Sequence, residues 1–315
     1  MSAGELMQTK LRLQLHPHGI TLLLSDANKS NGIKQIAGFG KVSAEQLVFV
    51  GDALTDMQGL ELVRFPACPS NAHPKVKQLV ESKKGYIAKR SRLAGCLDIL
   101  DEFVPDVNHI LKNEEQQGLY CVVFDFDGCL FEKTITFVEK DQPQLLAQFR
   151  RHVQECKGPF TDKPVLTINT GASIGTFKDY VENWNFPLYK AYGFNPTDVP
   201  KKFPNVWPPM MFEDGIFSLN PITKGVKEHW TDEQKEAVAK VKLLGDTAYK
   251  KLVKSIIAQE SELKINELRI PQKDASYSID FIGNKEKKLS KFHAIIKPIF
   301  VQTACELNIN LEILE

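Results

Sequence analysis

Three short apolar runs, LVFVGD (Leu47 to Asp52), YCVVFDFDG (Tyr120 to Gly128) and VLTINTG (Val165 to Gly171), each break off in Gly, Asp or Thr. Runs of this length rich in Val, Ile and Phe suit strands buried on both faces, the condition of a parallel sheet. Each is followed by a segment able to form a helix: ALTDMQGLELV after Asp52, QPQLLAQFRRHVQE beyond a loop after Gly128, and ASIGTFKDYVENW after Gly171. Strand and helix alternate, so the expected class is α/β, with helices on both faces of a parallel sheet. In open sheets of this kind ligands bind beyond the carboxyl ends of the strands. The polar ends of all three runs therefore converge on one candidate site.

With 315 residues the chain can bury a full core in one large or two modest domains. Its 40 basic and 39 acidic residues nearly cancel, so no global field draws it to nucleic acid or to an anionic membrane, and any anion site is local. The cysteines (Cys68, Cys96, Cys121, Cys129, Cys156 and Cys305) are scattered, with no CxxC pair, which argues for reduced thiols and against a zinc site or disulfide framework. No apolar stretch approaches bilayer-spanning length, and the start MSAGELMQTK lacks the apolar core of a signal peptide. The expected location is cytoplasmic.

The stretch from Asp101 to Gln117, DEFVPDVNHILKNEEQQ, has the composition of a connection between two halves. After Trp184 the chain becomes crowded with Pro and aromatics, including Tyr189, Tyr192, Phe194 and Trp207. These could wall a binding site, though an aromatic-rich segment is more often core. An amphipathic helix candidate, TDEQKEAVAKVKLLGDTAYKKLVKSIIAQ, comes later, then the strand-like YSIDFIG and NINLEIL. The expected division is residues 20–103 and 119–174 as two parts of the sheet domain, 104–118 as linker, and 175–315 with 1–19 as an α+β domain.

In VVFDFDGCL, Asp125 and Asp127 lie two residues apart at the end of an apolar run. That spacing would aim both carboxylates the same way if the strand continued, and the following Gly permits a tight turn. Two close carboxylates repel unless a divalent cation or a retained proton compensates. In VFVGDALTDM, Asp52 follows a strand and Asp56 stands at the mouth of a helix, where a capping role is credible. In TINTGAS, the hydroxyl of Thr170 and the amides from Gly171 onward would open a helix and could cradle a phosphate oxygen. Lys29, in NKSNGIKQIA, acquires interest only from these neighbours, since a lone lysine is ordinarily a solvated charge.

Together FDFDG, NTG, NKSNG and GDALTD resemble the four motifs of the haloacid dehalogenase superfamily of phosphatases. The family's order places DxD first, then Thr, Lys and GDxxxD; here the last two come first, as in a circular permutation. Residues 48–100, with Ala-His-Pro at Ala72 to Pro74, resemble the end of the family's small phosphatases, and residues 120–184 resemble the beginning. The resemblance implies a Rossmann-like core and a large α+β cap, with NINLEILE and HGITLLLSDANKS as neighbouring strands.

It further implies an Mg2+-dependent phosphomonoester hydrolase acting through an aspartyl-phosphate, with Asp125 as nucleophile and Asp127 as general acid and base. Mg2+ would be held by Asp125, the backbone carbonyl of Asp127 and Asp52, with Asp56 in support. Thr170, Gly171 and Lys29 would grip the phosphoryl oxygens. Asn71 is a candidate for the metal shell or substrate, with a helix-capping role favoured, and His73 before Pro74 suits a helix start. Cys129, where Thr is commoner, puts a thiol beside the nucleophile and is a candidate for oxidation.

The expected partner is a small phosphate ester, a sugar phosphate above all, with no nucleic acid or membrane, and a monomer or homodimer. A phosphomutase would need a cap rich in arginine, yet Arg269 is the one arginine after Gly175. A non-catalytic phospho-ligand-binding protein would be expected to have lost a motif residue, and none is lost. Pairing of the two halves between chains also stays open.

Overall fold

A computed structural model describes residues 10–16, 19–25, 27–104, 121–130, 142–155, 165–174, 210–213, 215–219, 226–258, 263–271, 273–281 and 286–314. Along the chain come β1 (Leu11–His16), β2 (Gly19–Leu24), α1 (Lys29–Gly40), β3 (Leu47–Val50), α2 (Met57–Leu62), β4 (Phe65–Cys68) and α3 (Pro74–Ser82). Next are β5 (Tyr86–Ile87), α4 (Arg92–Phe103), β6 (Cys121–Phe124), α5 (Gln142–Glu155), β7 (Val165–Ile168), β8 (Met210–Phe212), β9 (Phe217–Leu219) and β10 (Val226–Glu228). The last elements are α6 (Asp232–Ala258), β11 (Leu268–Arg269), β12 (Tyr277–Phe281), α7 (Glu286–Glu306) and β13 (Leu311–Leu314). They form two compact units, residues 28–229 and residues 1–27 with 230–315.

Residues 28–229 are built on a five-stranded sheet in the order β5-β4-β3-β6-β7, with every pairing parallel. LVFV in β3 and CVVF in β6 are buried at every residue, as continuous apolar runs require when both sheet faces are covered. From β3 the chain proceeds through α2, β4 and α3 toward one edge; from β6 it proceeds through α5 and β7 toward the other. Right-handed crossovers running in opposite directions put their helices on opposite faces of the sheet. Accordingly α1, α2 and α3 pack in succession, while α4 packs on α5. The crossovers diverge between β3 and β6, and that divergence opens the crevice where ligands of such sheets bind. β3 and β6 pair within one chain, Leu47 opposite Cys121 through Val50 opposite Phe124.

A three-stranded antiparallel sheet, β10-β9-β8, adjoins the end of β7 through a bridge between Asn169 and Met211. Pro74 opens α3 as expected, since its missing N–H lies where a helix has no internal acceptor to satisfy.

The other unit carries a sheet in the order β11-β12-β2-β1-β13, antiparallel except for the parallel pair β1–β13. Leu11, Leu13, Ile20, Leu22 and Ile279 line one face and are fully buried. Helices α6 and α7 pack on each other and on β2. The neighbour of β13 is β1 and not the HGITLLL strand β2, which lies one place further in. LRLQLH in β1 alternates apolar with polar residues, and that alternation lets it lie between β2 and β13 with its leucines inward.

Among the described residues no helix is long and apolar enough to cross a membrane. Among the described residues Cys68, Cys96, Cys121, Cys129 and Cys305 form no disulfide. Most of the expected connection at 101–117, the aromatic residues Tyr189, Tyr192, Phe194 and Trp207, and nearly all of the helix expected after Gly171 lie outside the described residues.

Candidate active site

The carboxyl end of β3 carries Gly51, Asp52 and Asp56. A Cβ at Gly51 would stand 2.5 Å from the Cβ of Asp56, so only glycine lets the loop fold this closely over that side chain. Asp56 is fully buried, and its Oδ2 accepts the N–H groups of Asp52 and Ala53, both at 2.9 Å. Although Asp56 precedes α2, its side chain makes no capping bond to that helix. It holds the Asp52 loop instead.

β6 ends at Phe124, and the chain turns at Phe126, so Asp127 reaches the site around a turn and not along a continuing strand. The Asp125 N–H donates to the Val50 carbonyl at 2.8 Å, which ties the two strand ends together. Asp125 Oδ1 in turn accepts the Phe126 N–H at 2.7 Å. Gly128 has φ +80, and a Cβ there would fall 2.2 Å from Asp52 Oδ2. The FDFDG turn is thus packed directly against the Asp52 carboxylate. Asp127 Oδ1 is buried and has no hydrogen-bond partner among the described residues.

Helix α1 starts beside these strand ends. Asn28 caps it, its side chain accepting from the N–H groups of Ser30 and Asn31. Lys29, the first helical residue, is 2 % exposed. Its Nζ lies 2.9 Å from Asp56 Oδ1 and 2.6 Å from Asp125 Oδ1, bridging two strand ends.

Thr170 is buried at the end of β7; its N–H donates to the Met211 carbonyl, and its Oγ1 accepts the Ala172 N–H at 3.1 Å. Gly171 follows, half-buried. The cap of α3 is His73, whose Nδ1 accepts the Lys75 N–H, so the favoured capping role for Asn71 gives way to another. Asn71 Nδ2 donates to the Gly128 carbonyl at 3.1 Å and to Asp52 Oδ2 at 3.4 Å, while its Oδ1 accepts the Arg92 N–H at 2.7 Å. It braces three loops. Cys129 is fully buried, with Sγ 3.7 Å from Asp52 Oδ1.

Ligand oxygens of Asp52, Asp56 and Asp125 all lie within 4.8 Å of one another. Burial, followed by repulsion from Asp56, pushes the Asp52 carboxyl up to about 7 against the pull of Lys29. The same causes in the same order raise Asp125 well above the usual carboxylate range. Among the described residues one lysine faces three carboxylates, too little positive charge to balance them. An all-oxygen donor set of this kind fits a hard divalent cation such as Mg2+, whose charge would offset the repulsion that contributes to both shifts.

The sequence alone did not single out Asn169. It is fully buried, and its Nδ2 donates to the Lys29 carbonyl at 2.7 Å. The only local signal was its place next to Thr170.

Residues 9–83 match the family described as haloacid dehalogenase-like hydrolase, a stretch that contains Lys29, Asp52, Asp56 and Asn71. The phosphoglycolate phosphatase of Methanothrix thermoacetophila (strain DSM 6194 / JCM 14653 / NBRC 101360 / PT) is 29% identical over 97 residues, covering 31% of this chain and 39% of that protein. The chain therefore spans well under half the length of that relative. An IMP-bound, N-terminally truncated IMP-nucleotidase of Plasmodium falciparum aligns over 66% of this chain and 52% of its own, at 14% identity and a TM-score of 0.33. Over residues 9–83 the chain is similar to the haloacid dehalogenase-like hydrolases.

Proposed function

We propose that the protein hydrolyses a small phosphate monoester with Asp125 as nucleophile and a divalent cation, Mg2+, as cofactor. The observation that carries the reading is the Lys29 ammonium placed between Asp56 and Asp125, inside a cluster of three carboxylates drawn from two adjacent strand ends. An anion entering this crevice meets a fixed cation and a carboxylate already oriented by Lys29 and by the Phe126 N–H.

Asp125 attacks phosphorus and the alkoxide leaves; the aspartyl-phosphate so formed is then opened by water, which returns Asp125 and releases phosphate. Asp127 donates a proton to the departing oxygen and takes one from the water. A buried oxygen with no partner among the described residues suits that exchange. Lys29, the Thr170 hydroxyl and the Gly171 amide hold phosphoryl oxygens as charge redistributes. Asp52, Asp125 and the Asp127 carbonyl would hold Mg2+, which offsets the charge that carboxylates and phosphate bring together. Asp56 supports from behind through Lys29 and the Asp52 loop, and Asn71 braces Asp52 against the FDFDG turn.

Residues 1–27 with 230–315 are proposed as the cap, and the motif order as a circular permutation of the family arrangement. Adjacent β1 and β13, one near each end of the chain, support that history. A sugar phosphate is the preferred substrate class, and the proposed location is cytoplasmic. The test is release of phosphate from p-nitrophenyl phosphate and a sugar-phosphate panel, with Mg2+ and with EDTA. Turnover should need the metal and fall roughly a thousandfold or more in Asp125→Asn. Undiminished turnover in that variant overturns the assignment.

A further inference from the structure

We propose that Asn169 is the positioning residue for Lys29, setting where its ammonium stands between Asp56 and Asp125. The inference rests on the phosphatase reading for its consequence in catalysis, and on the following contacts for its geometry.

Lys29 has a long, flexible stem rich in rotamers, so its ammonium stays in one place only if its backbone does. The Asn28 cap secures the start of α1 but not its distance from the sheet. Asn169 supplies that distance. Its N–H donates to the carbonyl of Phe124, the residue before the nucleophile, at 2.9 Å, and its side-chain Nδ2 donates to the Lys29 carbonyl at 2.7 Å. The acceptor at Lys29 is a carbonyl, so the amide nitrogen must be the atom that faces it. One residue thereby joins β6, β7 and α1, and it directly precedes Thr170.

The helix is shaped to admit this side chain. A Cβ at Gly32 would lie 2.2 Å from Asn169 Oδ1 and 2.6 Å from its Cγ. The same turn of α1 is approached from another side by Gly215, at φ +91, where a Cβ would meet the Gly32 nitrogen at 2.6 Å. Gln35 Nε2 donates to the Gly215 carbonyl at 2.7 Å. A seam needed for packing alone would be better served by an apolar side chain. Asn169 Oδ1 is buried without a hydrogen-bond partner among the described residues, an arrangement that costs stability. The cost is offset by a placement of Lys29 that an apolar residue cannot give.

The experiment compares the parent with Asn169→Ala and with Asn169→Leu, which is close to asparagine in shape but cannot donate to the Lys29 carbonyl. Ser218→Ala, buried in β9 of the same unit and bonded to His229, controls for loss of stability. Each protein is assayed for kcat and KM on p-nitrophenyl phosphate with saturating Mg2+. Each is also treated with an amine-modifying reagent, and labelling at Lys29 and Lys83 is followed by peptide mapping.

The expected result for both Asn169 variants is a 10- to 100-fold loss of kcat with KM within threefold, and at least tenfold faster labelling of Lys29 but not of Lys83. Ser218→Ala should show neither change. Folded Asn169 variants with kcat within twofold of the parent and Lys29 equally protected overturn the proposal. If Asn169→Ala does not fold, the Leu variant, which fills the same space, decides. A parent inert toward every ester would sink the phosphatase reading alone, and the labelling pattern would still decide the placement of Lys29.

Discussion

Gly128 is where the FDFDG turn meets the Asp52 loop, and a single methyl group there would press on the Asp52 carboxylate while forcing a side chain into φ +80. In Gly128→Ala the Mg2+ concentration for half-maximal turnover should rise at least about tenfold, because metal ligands tolerate little displacement. A Mg2+ titration of activity checks this, and an unchanged midpoint counts against Asp52 as a ligand. Cys129 behaves differently from what its place beside the proposed nucleophile suggests. It is fully buried, and burial above all holds its thiol well above the usual range, so it stays protonated and unreactive. Iodoacetamide should modify exposed Cys305 in the folded protein and leave Cys129 untouched, as peptide mapping would reveal. Asp125, Asp127, Asp52 and Lys29 were legible as candidates because motif spacing carries them. The work of Asp56 was not, because a carboxylate ahead of a helix looks the same in sequence whether it caps that helix or turns back onto its own loop.

At the scale of elements, β3, β6 and β7 were recognisable as short, mainly apolar runs, and α5 matches the predicted QPQLLAQFRRHVQE over its full length. β1 was missed because LRLQLH is short and half polar, so its alternation gains meaning only between β2 and β13. Helix α6 offers a test in which context reverses propensity. Replacing a mid-helix glycine with alanine ordinarily stabilises by about 1 kcal/mol. A Cβ on Gly245, however, would enter the Tyr277 ring at 2.3 to 2.6 Å. Gly245→Ala should therefore destabilise the protein by about 1–3 kcal/mol through overpacking, lowering the melting temperature. A raised melting temperature would show that the ring can move aside.

For the whole molecule, the acidic cluster links stability to pH and to metal. Asp52 titrates near 7 when folded without a cation, against an ordinary 3.8, so the metal-free native state binds a proton more tightly than the unfolded chain. Its contribution to stability is greatest below about pH 4 and is lost as pH rises toward 7. Asp125 acts in the same direction. Mg2+ binds the deprotonated carboxylates, so it should raise the melting temperature more at pH 7.5 than at pH 5.5. Equal increments at the two values would contradict a site in which these groups take the metal. The sequence by itself determined the strand cores, the chemistry at their ends and the family resemblance, because hydrophobic runs and motif spacing are local properties. Tertiary structure alone decided that Lys29 bridges Asp56 and Asp125, that Asn71 braces three loops, that Asn169 reaches the Lys29 carbonyl and that β1 lies beside β13. Each of these joins residues far apart along the chain, and such contacts exist only once the sheets have set the distance between them.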